Sequence, residues 1–268
     1  MMEVMAITND SNLARHFEEN GIDIIFIDLE KNGKYERQGH LDTLISNHSI
    51  EDIFKLRKVL RKSKLLVRIN PYNKETSEEE IEKVIKAGAD IIMLPMFRSS
   101  DEVEKVLKII NNRVENCLLL ETATAAVRLD EILEIKGINR IHVGLNDLSI
   151  DLKLDFMFEC LVSDFIDYII EKIKNKKIKY GIGGIAKLGM GDLKADYILC
   201  EHARLGSTQV ILSRSFFKSI EQSNLKEEVK KIKKDYKLYL NYTEEEFKNN
   251  KNEMKKIIKE KFLTRGRK

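Results

Sequence analysis

Hydrophobic positions in this chain cluster into short continuous runs, and the segments between the runs return to helical spacing. Eight runs read as strands: Glu3–Ile7, Asp23–Leu29, Lys64–Asn70, Asp90–Phe97, Cys117–Thr122, Arg140–Asn146, Ile178–Ala186 and Thr208–Ser213. They are apolar nearly throughout rather than alternating, which is the pattern of strands covered on both faces. Helical patterns lie between them over Asn12–Asn20, Ile50–Lys62, Ser77–Ala87, Asp101–Asn111 and Phe165–Lys174. Ser49 stands ahead of Glu51 and Asp52, a cap followed by acidic residues in the first turn. Ser77 precedes three glutamates, and Gly88 follows the end of that segment. Eight β/α alternations over residues 1–218 predict an α/β protein built as a (β/α)₈ TIM barrel; a doubly wound open sheet is the competing arrangement.

Residues 219–268 form a charged helical extension, as one helix or as two with a break at Asn241–Thr243. Leu225, Val229, Ile232, Tyr236 and Leu240 recur at spacings of three and four and draw one apolar stripe. A stripe needs a partner. It packs on its own barrel or on a neighbouring subunit; the second is the favoured expectation, in keeping with a homo-oligomer.

Composition narrows the function classes. With 268 residues, 43% of them hydrophobic, the chain can bury a sizeable core. No apolar stretch approaches the ~18 residues of a membrane span and the start of the chain lacks a signal-peptide core, so a cytoplasmic protein without a membrane partner is expected. Residues 219–268 carry 15 Lys and Arg against 9 Asp and Glu, whereas residues 1–218 carry 32 against 35. The basic excess therefore belongs to the extension, and the body lacks the basic face of a nucleic-acid-binding protein. Cys117, Cys160 and Cys200 form no CxxC pair and fall in apolar segments, as buried thiols do.

In a barrel, the strand C-termini converge on one rim. Here they bring Asp28 and Glu30, Arg68 and Asn70, Pro95 to Arg98, Glu121, Asn146 and Asp147, Gly183 and Gly184, and Ser213 and Arg214. Leu118–Thr122 and Val143–Ser149 are apolar runs that break off in a carboxylate, Glu121 and Asp147. Two hard oxygen ligands on neighbouring strand ends hold Mg²⁺ or Mn²⁺ with water and substrate completing the shell. The competing reading is that Glu121 caps the next helix and Asp147 stabilises a turn. The amides of Gly183 and Gly184 suit an anion, with Ser213-Arg214-Ser215 at the same corner; alternatively the glycines serve a tight turn. Glu201-His202-Ala203-Arg204 reads as interface or structural.

Five segments in order resemble the HpcH/HpaI aldolase and citrate lyase family: Phe26-Ile27-Asp28-Leu29-Glu30, Leu66 to Pro71, Ala87 to Met96, Leu120-Glu121-Thr122 and Gly144-Leu145-Asn146-Asp147-Leu148-Ser149. The resemblance implies that Glu121 and Asp147 are the metal ligands of a divalent-ion-dependent lyase. It also implies that Arg68 steadies the oxygen of an enolate formed from a 2-oxo acid, with Asp28 in proton transfer; Glu30, Asn146, Gly183 and Gly184, brought to the rim by strand position, are the candidate substrate contacts. Two positions depart from the family. Its aldolases read Asp-x-Glu-His after the second strand, where this chain has Lys31, and they carry a glutamine where it has Leu119. A replacement base is sought in the segment from Lys31 to Ser49, which holds Arg37, Gln38, His40, Asp42, Asn47 and His48. His48, just before a helix start, is the candidate. Lys31 would serve only if desolvated.

The expected function is a metal-dependent carbon–carbon lyase acting on a small 2-oxo acid or aldehyde. A citrate-lyase-like acyl-CoA lyase and a barrel that binds a metabolite without turnover are the alternatives.

Overall fold

Each of the eight apolar runs is a strand in the computed structural model, which describes residues 2–31, 47–219, 221 and 224–263. Strands β1 (Glu3–Ile7), β2 (Ile24–Asp28), β3 (Lys64–Arg68), β4 (Ile91–Leu94), β5 (Glu115–Leu120), β6 (Arg140–Val143), β7 (Lys179–Ile185) and β8 (Gln209–Leu212) pair in parallel and in chain order. β1 then pairs with β8 through Glu3–Gln209 and Met5–Ile211, which closes the barrel and rules out the open sheet. Around it stand α1 (Ser11–Glu19), α2 (Ile50–Val59), α3 (Ser77–Ala87), α4 (Ser100–Ile110), α5 (Ala123–Val127), α6 (Leu129–Leu133), α7 (Leu145–Asp151), α8 (Glu159–Val162), α9 (Asp164–Asn175), α10 (Ala195–Leu205) and α11 (Arg214–Lys218). The local signals act as read. Ser49 and Asp52 form a reciprocal capping box at α2, and Gly88 ends α3 in the left-handed region at φ 102°.

Register decides which side chains look inward. Phe26 lies opposite both Ile7 and Leu66, Asp28 opposite Arg68, Arg68 opposite Met93, and Leu119 opposite His142. Met5, Ile24, Phe26, Leu66, Ile91, Met93, Cys117 and Leu119 thus fill the barrel interior as a cluster separate from the larger strand–helix core. All three cysteines are free and buried. Below that cluster Arg140, fully buried, donates from Nε to Glu115 (2.6 Å) and from Nη1 to Gln209 (3.1 Å), and pairs with Glu3. This ionic layer fills the N-terminal end. At Gly181 a Cβ would come within 2.4–2.5 Å of Gln209 Cγ, the Gln209 carbonyl oxygen and His142 Nδ1, so only glycine lets β7 approach here.

The extension is two helices, α12 (Leu225–Tyr239) and α13 (Glu244–Ile258), broken where the sequence breaks and restarted by a capping box of Thr243 and Glu246. The expectation that its stripe covers a neighbouring subunit is corrected. Leu225, Val229, Ile232 and Tyr236 are buried in the chain's own core, while Leu240, beyond the last turn, is 51% exposed. The stripe returns to its own barrel against α10, and Lys233 Nζ clips it to Asp23 Oδ2 (2.7 Å) and to the Gly21 carbonyl (2.9 Å). Truncating Ile232 to alanine is expected to cost about 2–4 kcal/mol. Because the packing is internal, the loss in urea unfolding should be the same at low and high protein concentration; a loss that shrinks with dilution would place the contact between subunits.

Candidate active site

The parallel register that sets Asp28 beside Arg68 builds the first half of the site. Both side chains emerge on the inner side of adjacent strand ends, and the guanidinium meets the carboxylate in a fork. Arg68 Nε donates to Asp28 Oδ1 at 2.9 Å and Nη2 to Oδ2 at 2.8 Å. Glu30 Oε2 lies 3.2 Å from Nη1, and the guanidinium carbon stands 5.7 Å above the centre of the Phe26 ring. Burial opposes the charge on Arg68, but Asp28, Glu30 and Glu121 together raise its pKa, so the group stays cationic. Asp28 and Glu30 are each 2% exposed. Behind them Asn70 accepts the Lys31 N–H (2.9 Å) and donates to Glu80 (2.8 Å).

The second half comes from β5 and β6. Glu121 follows the last residue of β5 and is buried, with Oε1 accepting the Met96 N–H at 3.1 Å. It does not cap the next helix. Thr122 does, accepting the Ala125 N–H at 3.1 Å while donating to the Phe97 carbonyl at 2.8 Å. Asp147 sits in the first turn of α7, half-buried, and lines the same cavity as Glu121. Burial pushes the Glu121 carboxyl up to about 8; the charges of Asp147 and Glu30 add to this, while Arg68 and the Met96 N–H oppose it. A Cβ at Gly144 would stand 2.9 Å from Glu121 Cβ and Oε2, so the glycine keeps this carboxylate's surroundings open.

Those residues fit a divalent ion. A buried carboxylate that resists ionisation beside a second carboxylate in one cavity is a donor set that a hard cation would stabilise. Among the described residues no group of three or more His, Cys, Asp or Glu is placed to hold a metal, so the protein would offer this pair and leave positions for water and substrate.

Arg68, Glu121 and Asp147 open into a cavity of about 180 Å³ at the C-terminal end of the barrel. Its other walls are Ile7, Phe26, Met93, Leu119, His142, Gly144, Leu145, Asn146, Met157, Phe158, Gly183, Gly184 and Ile211. His142 was not foreseen, although its position two residues before Gly144 in an inward-facing register was a usable signal. Its Nε2 lies 2.9 Å from the Gly183 carbonyl, so Nε2 carries the proton, and burial lowers the imidazole pKa to about 4. Nδ1 has no hydrogen-bond partner among the described residues.

The remaining expectations separate. Gly183, in the left-handed region at φ 51°, and Gly184 do line the cavity, and Asn146 lines it while remaining exposed. Ser213 instead caps α11, accepting the Phe216 N–H at 3.3 Å, and neither it nor Arg214 borders the cavity. His48 is buried and does not border the cavity either; its Nδ1 accepts the Asp28 backbone N–H at 3.0 Å. With Nδ1 so engaged, the neutral ring carries its proton on Nε2. The Lys31 side chain is exposed. Arg37, Gln38, His40 and Asp42 lie outside the described residues. Glu201 and Arg204 join in an ion pair on α10 at 2.8 Å, with His202 buried beside them.

A closed parallel barrel whose acidic, arginine-bearing cavity lies at the strand C-termini has the layout of a (β/α)₈ enzyme. Residues 5–160 match the family model HpcH/HpaI aldolase/citrate lyase, more than half of the chain, and the protein belongs to that family. Membership places it among aldolase/citrate-lyase-type lyases, whose aldolases generally depend on a divalent metal. Solved structures share the fold at low identity. An HpcH/HpaI aldolase from Desulfitobacterium hafniense DCB-2 is 16% identical with TM-score 0.64, over 87% of this chain and 93% of that one. An HpcH/HpaI aldolase/citrate lyase family protein from Burkholderia cenocepacia J2315 is 13% identical with TM-score 0.65, over 87% and 94%. The citrate synthase SbnG is 15% identical with TM-score 0.62, over 87% and 93%. No curated protein matches the chain in sequence.

Proposed function

We propose that this protein is a carbon–carbon lyase of the class II aldolase type that works through the enolate of a 2-oxo acid such as pyruvate. The observation that carries the reading is Arg68, held in a fork by Asp28, which itself does not border the cavity, and lining the same cavity as Glu121 and Asp147. Breaking a carbon–carbon or carbon–hydrogen bond next to a keto group leaves negative charge on the keto oxygen, and catalysis consists largely of placing positive charge there in advance. Arg68 supplies a permanent, planar cation whose position is set before substrate arrives, because Asp28 and Glu30 hold it from behind. Its side chain keeps 13% exposure, enough to meet a ligand in the cavity. Glu121 and Asp147 would hold Mg²⁺ or Mn²⁺, which when bound supplies further stabilisation of the enolate charge as a Lewis acid. The apolar walls lower the local dielectric around these groups and so strengthen each of the interactions. His48, reaching the site through the Asp28 backbone, acts as a positioning residue for the fork.

The test is entry of solvent deuterium into the methyl group of pyruvate, followed by NMR with and without Mg²⁺ or Mn²⁺. Exchange should require the ion and fall by about a hundredfold or more in Glu121→Gln, in line with the loss of one pre-placed charge-stabilising group. Ion binding without any exchange would move the assignment to a thioester substrate or to a barrel that binds without turnover.

A further inference from the structure

Resting on that reading, we propose that the floor of the cavity selects a 2-oxo acid bearing an alkyl substituent on C3, in preference to pyruvate itself. The polar groups of the cavity are segregated. Arg68, Glu121 and Asp147 stand at the rim, whereas the next layer inward is Phe26, two residues before Asp28, Leu119, two before Glu121, and Met93, opposite Arg68. His142, opposite Leu119, is the polar member of this layer, but its Nε2 is held by the Gly183 carbonyl and its Nδ1 is buried beside Gly181. β1 and β8 complete that layer with Ile7 and Ile211.

These two isoleucines carry the argument. Both point into the barrel, where neighbouring apolar side chains are buried, yet both stay half-exposed. The strand beside Ile211 is β7, whose cavity residues Gly183 and Gly184 contribute no side chain, so among the described residues β7 leaves the cavity face of Ile211 open. Polar rim and apolar floor together enclose a cavity of about 180 Å³. Met157 and Phe158 add an apolar wall from the segment after α7. A ligand anchored by its carboxylate and keto oxygens at the rim therefore turns its carbon end onto hydrocarbon. An alkyl chain gains by leaving water there, whereas a hydroxyl or phosphate on the same carbon loses hydrogen bonds that Ile7, Leu119 and Ile211 cannot return.

The measurement uses three 2-oxo acids, pyruvate, 2-oxobutanoate and 4-methyl-2-oxopentanoate, with the full chain and Mg²⁺ or Mn²⁺. In each a C3–H bond breaks, its electron pair passes into the enolate, the proton leaves to solvent and C3 takes up a deuteron. The rates are compared as kcat/KM divided by each acid's uncatalysed exchange rate. The expected gain is about fourfold for each methylene buried, so 2-oxobutanoate should exceed pyruvate and the branched acid should exceed it by at least tenfold. Titration calorimetry gives a readout without turnover: the heat-capacity change of binding should grow more negative along the series. Ile211→Ser should pull the branched-to-pyruvate ratio down severalfold. Exchange of all three at equal normalised rates, or best with pyruvate, overturns the selectivity and leaves the lyase reading intact. Exchange of none, in protein that binds the ion, overturns both.

Discussion

Replacing Arg68 by methionine is expected to abolish most enolate formation and to weaken the fold at once. The chemical loss should be about 10²–10³-fold in exchange rate, the usual effect of deleting one pre-placed group that stabilises an oxyanion. The structural loss has a separate cause. Asp28 and Glu30 are each 2% exposed, and Arg68 is the cation they share. Removing it leaves two carboxylates in a desolvated site beside Glu121, at a cost on the order of 3–5 kcal/mol for a broken buried pair. Urea unfolding measures this directly. The triple variant Arg68→Met, Asp28→Asn, Glu30→Gln separates the two effects, since neutral partners recover much of the stability and none of the exchange. If Arg68→Met were as stable as the native protein, the fork would be solvated and the electrostatic argument for pre-placement would fail.

The second large effect is acid lability. His142 and His202 are buried, and burial lowers their pKa values to about 4 and about 3, with the positive charge of His142 adding to the shift of His202. In the unfolded chain each imidazole titrates near the ordinary value of 6.5. Between those limits the unfolded state binds more protons, so stability is fully present above about pH 6.5 and falls as the pH drops towards 4. The shift of His142 corresponds to a loss on the order of 3 kcal/mol at pH 4, and His202 adds a comparable amount. Urea midpoints from pH 4 to 8 should show a steep decline below 6.5. The decline should flatten by about half in His202→Gln, which removes one titrating ring while keeping an acceptor within reach of Ser207. An equally steep decline in that variant would assign the acid lability to carboxylates.

Much of the architecture was legible because it depends on local physics. Helix α3 begins and ends at Ser77 and Ala87 as read, since three glutamates favour its first turn and Gly88 terminates it without strain. The strands were read long at their C-terminal ends: β4 stops at Leu94, while the apolar run continues to Phe97. Pro95 and Phe97 beyond the ladder are still buried, and burial is all that a hydrophobic run reports. The break near Asn241 was visible for the same local reason, because the Thr243 and Glu246 cap is encoded in four consecutive residues.

Sequence alone therefore determined the eightfold alternation and the chemical kinds of side chain carried to the rim, including Arg68, Glu121 and Asp147. Tertiary structure decided everything that depends on separations the chain does not encode locally. The parallel register of β2 and β3 set Asp28 across from Arg68, 40 residues away, and turned two ordinary strand-end residues into a fork. Closure of β1 on β8 brought Ile7 and Ile211 to the edge of one cavity, and the β6–β7 pairing buried His142 against the Gly183 carbonyl. The extension's stripe announced that a partner was needed, but an apolar surface has no address. Which surface covers it follows from the path of the chain after β8 and from Lys233 reaching Asp23, and both exist only in the folded protein.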